Sequence, residues 1–276
     1  MKMKKWIFLV FAVLINCFIQ STFALSAKNI APIDVTELQS GKRILVVGHM
    51  SDFPPFYLSD SANPKGLDPD IFKEVAKRAG FKKITYAAFK DFTALNQALR
   101  DGKIDVIVND YWNIPDHSSQ FLMTIPYYLR DGIAFVYSAK KHHFTSVNDL
   151  QNYKIGTFKG ATDVENWLRT HPIAQASLKL FNSRKAMMQA LEQNKIDAAF
   201  VYYTLYLYLF GKEASQDAFS TVLVQPIHSV YAVRRQDVAL QKQLNKALKS
   251  IWSDGFLYKV KEQYLGSLGI DPARNH

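Results

Sequence analysis

Cysteine is nearly absent from this chain of 276 residues: one occurs, Cys17, inside an apolar stretch near the N-terminus. A framework of disulfides is therefore excluded for the rest of the chain, and so is a thiolate metal site. Long apolar runs are also missing beyond residue 24. The richest stretch, residues 198–210, is interrupted by tyrosines and reads as buried strand and helix rather than as a membrane span. Dense basic tracts are missing as well. The formal charge is +10, but the cations come in scattered pairs, Lys82-Lys83, Lys140-Lys141 and Arg234-Arg235. A nucleic-acid-binding face is not expected from such a distribution; a basic soluble surface is. His142-His143 is a histidine pair without a third ligand, so no metal is expected there, and no cofactor motif occurs.

What is present begins with an export signal. Lys2, Lys4 and Lys5 precede an apolar run over residues 6–19, and Ser21-Thr22-Phe23-Ala24 supplies small residues suited to cleavage after Ala24. The run is shorter than the roughly 20 residues a membrane span needs, and Asn16 interrupts it. Asn16 is also a poor neighbour for lipoprotein processing at Cys17. Cleavage removes the lone cysteine, and the mature chain must draw its stability from its core and its ligand. About 250 residues suffice for that.

The body of the chain is one unit used twice. Ala98-Leu99 is followed by Lys103-Ile104-Asp105, and Ala190-Leu191 is followed at the same spacing by Lys195-Ile196-Asp197. A short strand-like run precedes each copy, residues 84–89 and 178–181, and an apolar strand follows each, Val106-Ile107-Val108 and Ala198-Ala199-Phe200-Val201. Upstream, residues 43–48 and 154–156 read as strands that open into turn-rich loops and then helices. Alternation of this kind, with strands too apolar to have a wet face, predicts α/β architecture with parallel sheets covered by helices. Ligands of such sheets bind beyond the carboxyl ends of the strands, so two facing copies enclose a cleft. Asp105 and Asp197 sit at helix-to-strand turns and are expected to cap backbone rather than to act as paired acids. Two extended crossings, near residues 130–133 and 226–230, place the second lobe as an insertion into the first, on a two-strand hinge. The expected division is a signal over 1–24, lobe one over 41–132 and 229–276, and lobe two over 133–228. A final amphipathic helix is predicted from Asp237, with Leu240, Leu244, Leu248 and Ile251 on its buried face.

Several short motifs occur in a telling order: Phe53-Pro54-Pro55-Phe56, Gly66-Leu67-Asp68-Pro69-Asp70, Gly102-Lys103-Ile104-Asp105, Pro126-Tyr127-Tyr128, Gly156-Thr157-Phe158-Lys159-Gly160-Ala161-Thr162, and Ser253-Asp254-Gly255. In this order the chain resembles the periplasmic solute-binding proteins of bacterial amino-acid ABC transporters, over nearly the whole mature length. The resemblance implies a two-lobed α/β protein that closes on a small solute. It also implies a periplasmic location, an inner-membrane ABC permease as partner, a monomeric state and no cofactor.

The chemistry departs from that pattern at two places. Members that hold α-amino acids usually carry an arginine for the ligand carboxylate after a proline and an acidic residue; the matching stretch here is Ile114-Pro115-Asp116-His117. Where lobe two usually offers an aspartate for the ligand ammonium, this chain has Val201-Tyr202-Tyr203. Lys159, Arg130 or Asp163 are candidates to supply the missing charge. What remains at the expected cleft is Phe53, Phe56 and Tyr57 in the first loop, Phe92 at a helix start, Tyr111 and Trp112 past the strand, and Tyr202, with Asn109 and Asp110 among them. Aromatic faces with a carboxylate suit a cationic or aromatic solute. His117, as the arginine's replacement, would grip a carboxylate well only when protonated. Thr162 is expected at a helix start, where its hydroxyl and free backbone N–H groups could meet an anionic group. The expected function is capture of a small polar solute, an amino acid or related compound, for an ABC importer. Two alternatives stand beside it: an enzyme on the same scaffold, dehydratase-like, with His117 as general base, and a sensory or accessory periplasmic binder without a transport role. The export reading makes a direct prediction: protein recovered from the periplasm begins at Leu25, which N-terminal sequencing and intact mass check. A retained leader or a lipid on Cys17 would overturn it.

Overall fold

Equivalent aspartates set the two copies of the repeat into equivalent strand pairs. The computed structural model describes residues 30–51, 53–59, 62–173, 176–210 and 219–266, without the side chains of Arg130, Thr162 and Phe210; the export segment 1–24 lies outside these residues. The first copy runs α1 (Val35–Ser40), β1 (Leu45–Met50), α2 (Leu67–Arg78), β2 (Ile84–Phe89), α3 (Phe92–Arg100) and β3 (Val106–Trp112), with β1 parallel to both β2 and β3. A one-turn helix α4 (Pro115–Ser118), a short β4 (Leu122–Met123) and the long β5 (Tyr128–Ser138) follow. The second copy runs β6 (Lys154–Phe158), α5 (Thr162–Thr170), β7 (Ser177–Phe181), α6 (Arg184–Glu192) and β8 (Ala198–Tyr202), with β6 parallel to both β7 and β8. The chain ends through α7 (Tyr203–Phe210), β9 (Phe219–Val233), α8 (Val238–Ser253) and α9 (Phe256–Leu265).

In the first copy the Asp105 amide donates to the Val46 carbonyl at 2.8 Å and its carboxylate accepts the Val46 amide at 2.9 Å. In the second, the Asp197 amide donates to the Lys154 carbonyl at 2.7 Å and its carboxylate accepts the Lys154 amide at 2.9 Å. Both aspartates are backbone clamps, as their position at the turn predicts. The helices before them start alike, with Asp91 accepting the Ala94 amide and Ser183 accepting the Ala186 amide.

The strand order is β2-β1-β3-β9-β5-β8-β6-β7, so the two parallel groups are joined through the antiparallel pair β5 and β9. These are the two crossings expected from sequence, and they run side by side, with Gly132 opposite Pro226 and Asp131 opposite Ile227. From Ile33 onward the chain forms one compact unit. Among the described residues its buried apolar side chains form three clusters, and Leu240, Leu244, Leu248 and Ile251 of α8 all belong to the largest.

One element differs from expectation. Strand β3 does not stop at Val108 but continues to Trp112, because its pairing shifts register, with Tyr111 opposite Val230 and Trp112 opposite Ser229. Thr162 begins α5, as expected, with Ala161 in the cap position.

Two glycines are demanded by close approach. Gly66 has φ +143°, and a β-carbon there would lie 2.1 Å from the Phe56 carbonyl oxygen. Gly132 has φ +136°, and a β-carbon would lie 1.9 Å from the Gln225 oxygen on the facing strand. Gly255 has φ +75° with open space around it. Gly132→Ala and Gly66→Ala are therefore expected to lose at least ~2 kcal/mol of stability, while Gly255→Ala loses about 1 kcal/mol from backbone strain alone. Urea unfolding midpoints check this, and equal losses at all three positions would refute the clash.

Candidate functional site

The site is built where β3 changes register. Asp110 stands in the left-handed region at φ +46°, uncommon for a residue with a side chain. This turns its amide toward Asp68 at the start of α2, to whose Oδ2 it donates at 2.6 Å. The same amide lies 3.1 Å from the Tyr127 hydroxyl, and that hydroxyl donates to Asp68 Oδ1 at 2.7 Å. The Asp110 carboxyl in turn accepts the Trp112 indole N–H at 3.2 Å and the Ser229 hydroxyl. Trp112 is thereby fixed. The ring of His117 stacks on Tyr111 at 4.2 Å, and its Nδ1 lies 2.9 Å from the Trp112 carbonyl. A carbonyl can only accept, so Nδ1 carries a proton and Nε2 is the ring nitrogen left for another partner.

The opposing wall comes from the second copy of the repeat. Tyr202 ends β8, and its ring lies 5.5 Å from Trp112 and 6.3 Å from Phe53. Phe53 also meets Phe92 edge-on at 6.3 Å. Between these walls lies a cavity of about 420 Å³, lined by Phe53, Phe92, Asp110, Trp112 and His117 from one side and Gly160, Asp163 and Tyr202 from the other, with Met50, Lys90, Asp91 and Thr93 completing it. A second cavity of about 200 Å³ shares Met50, Phe53, Gly160 and Tyr202 with the first and adds Phe56, Lys159 and Arg184 among its walls.

Of the residues expected at the cleft, Phe53, Phe92, Asp110, Trp112, His117 and Tyr202 thus line one cavity, and Phe56 lines its neighbour. Tyr57 and Tyr111, both fully buried, line neither, and nor does Asn109. It is fully buried and its side-chain oxygen accepts the Met50 amide at 2.7 Å, which ties β3 to the end of β1. The Thr162 and Arg130 side chains lie outside what the structure describes. Met50, Lys90, Asp91 and Thr93 went unnoticed in sequence, where nothing marks them apart from other strand ends and loop residues. Gly160 was noted only as part of a motif, not as part of a cavity.

The electrostatics are those of buried acid. Burial pushes the Asp110 carboxyl well above the usual range, and the neighbouring carboxylates Asp131 and Asp68 push it further, against the Ser229 hydroxyl bond. Burial likewise raises Asp68 to about 7, with the Tyr127 hydroxyl and the Asp110 amide pulling back. Asp163 is raised by burial and partly relieved by the charge of His117. The Tyr202 hydroxyl is raised by burial and by Asp163, Asp110 and Asp131. Asp131 itself is fully buried, accepts the Thr204 amide at 2.9 Å through Oδ1, and leaves Oδ2 without a hydrogen-bond partner among the described residues.

The cavity thus lies between two related α/β halves. The family of "Bacterial extracellular solute-binding proteins, family 3" matches residues 45–267. The chain belongs to this family. Among its relatives is the arginine-binding extracellular protein ArtP of Bacillus subtilis, 26% identical over 263 residues, which cover 95% of this chain and 98% of that one. Another is the L-cystine-binding protein TcyJ of Escherichia coli, 23% identical, with 88% of this chain and 90% of that one covered. Among solved structures, an ancestral arginine-binding protein bound to arginine has 27% identity and a TM-score of 0.59, covering 81% of this chain and 98% of that one. An ancestral cationic amino acid solute-binding protein has 21% identity and a TM-score of 0.71, with 84% and 99% covered. The fold is therefore the two-lobed α/β fold of periplasmic binding proteins, as the resemblance implied. The protein is a solute-binding protein and not an enzyme, which removes the reading of His117 as a general base. Among the described residues no helix is long and apolar enough to cross a membrane.

The buried acids make a stability prediction. Asp68 titrates near 3.8 unfolded and about 7 folded. The folded state therefore holds a proton that the unfolded chain releases, and stability is lost as pH rises through that window. Asp110 acts in the same direction. Asp34, Asp149 and Asp254, held low by hydrogen bonds, act below the window. The urea midpoint is expected to be higher near pH 5 than near pH 7.5, and Asp68→Asn to flatten that slope; a midpoint that rises with pH would refute it.

Proposed function

We propose that this protein is a periplasmic receptor that captures a small polar solute, an amino acid or related compound of cationic or aromatic character, and delivers it to an inner-membrane ABC permease. It acts as a monomer. Lobe one is 41–132 with 229–276 and lobe two is 133–228, tethered by β5 and β9. The observation that carries the reading is the composition of the larger cavity, whose walls come from both halves of the repeat. A solute favours the closed state only through contacts it makes with both lobes, and Trp112 with Phe53 on one side and Tyr202 on the other provide them. The cavity volume fits a molecule of amino-acid size. Relatives named for binding arginine and cystine support a solute of that scale.

The experiment is a thermal-shift screen of amino acids, polyamines and betaines on the mature protein. A ligand of the native state at one hundred times its Kd adds about 2.7 kcal/mol of stability, a rise of several degrees for a chain of this size. For a cationic hit, Trp112→Ala is expected to cost about 1–2 kcal/mol of binding through lost cation–π contact. A panel without any shift, or full affinity in the variant, would count against the site as drawn.

A further inference from the structure

The chemical class of the solute follows from which way the hydrogen-bonding groups of the larger cavity face, and the inference rests on the capture reading above. Asp110 and Asp163 present carboxyl oxygens. The Nδ1 proton of His117 is committed to the Trp112 carbonyl, so the ring has only Nε2 left for a solute. The indole N–H of Trp112 is committed to Asp110. Among the described lining side chains the one fixed cation is Lys90, and it is turned to solvent, 84% exposed, with its ammonium 3.7 Å from Asp91. Behind the wall lie the further buried carboxyls of Asp131 and Asp68. A carboxylate placed among these groups would meet carboxyl oxygens, with no guanidinium among the described lining side chains to hold it. An ammonium or guanidinium would meet the acceptors it needs, with the faces of Phe53, Phe92, Trp112 and Tyr202 around it.

We propose that the solute is an organic cation without a carboxylate, an amine or guanidine of the kind obtained by decarboxylating an amino acid. The competing arrangement is a zwitterion that reaches through the shared wall and sets its carboxylate on Lys159 and Arg184 of the smaller cavity. Arg184 lies over the Phe158 ring, 5.8 Å from its centre, and no described carboxylate pairs with it.

Isothermal titration calorimetry on the mature protein at neutral pH separates the two, using pairs that differ only in the carboxylate: agmatine and arginine, histamine and histidine, cadaverine and lysine, phenethylamine and phenylalanine. The expected result is that in at least one pair the amine binds more than about tenfold tighter than its parent. Asp163→Asn should weaken that amine about tenfold or more, and Arg184→Gln should leave it unchanged. Asp163 lies in the first turn of α5 rather than in the buried network around Asp68, so the variant is expected to fold, and its melting curve checks this. A parent amino acid that binds as tightly as its amine, or a hit that Arg184→Gln abolishes, overturns the inference and leaves the capture reading standing. A folded protein that binds neither the amines nor the amino acids overturns both.

Discussion

The cleft depends on how one backbone amide is satisfied. Asp110 sits at φ +46° in the middle of an otherwise extended strand, a conformation that costs a residue with a side chain on the order of 1 kcal/mol. Its amide is held there by Asp68, which Tyr127 holds in turn. Where the strand turns, its antiparallel register on β9 shifts, from Ile107 opposite Ala232 to Tyr111 opposite Val230. Because it turns, the Asp110 carboxyl meets both Ser229 and Trp112, and Trp112 faces Tyr202 across the cavity. All three groups of the network are buried, so each hydrogen bond is made in a low dielectric and each is costly to leave unmade. A substitution at Asp68 thus acts on the binding site from a helix that contributes no wall to it.

Much of the fold was legible in sequence because it is periodic. The recurring Lys-Ile-Asp turns marked two equivalent α/β units, and the equivalent clamps of Asp105 on Val46 and Asp197 on Lys154 are the physical content of that recurrence. The leucine spacing of α8 and the two crossings were visible for the same reason. The left-handed turn at Asp110 was not. Nothing in the pattern Val-Ile-Val-Asn-Asp-Tyr-Trp distinguishes a strand that ends at Val108 from one that shifts register and continues, since the decision lies with Asp68, 42 residues earlier. For the same reason Asn109 was grouped with the lining residues, whereas its partner proves to be the Met50 amide. Asp163 was legible only as a candidate source of charge, because its neighbours His117 and Tyr202 are brought to it by the fold.

The two departures from the family pattern become intelligible together. Where members usually carry arginine and aspartate, the sequence reading set His117 and Tyr202; the fold brings both to one cavity, along with the carboxyls of Asp110 and Asp163. Burial raises both of these acids.

The antiparallel pair β5 and β9 bears on how such a protein would move. The ladder extends from Tyr128 opposite Ser229 to Ser138 opposite Phe219, and it is interrupted twice, between Tyr128 and Asp131 and between Ile133 and Ala134. A hydrogen-bonded ribbon bends most cheaply where its rungs are irregular. Both irregularities flank Gly132, where the strands approach too closely for a β-carbon. A pivot placed here would be a defect in a ribbon and not a loop, which would give any swing of one lobe a defined axis.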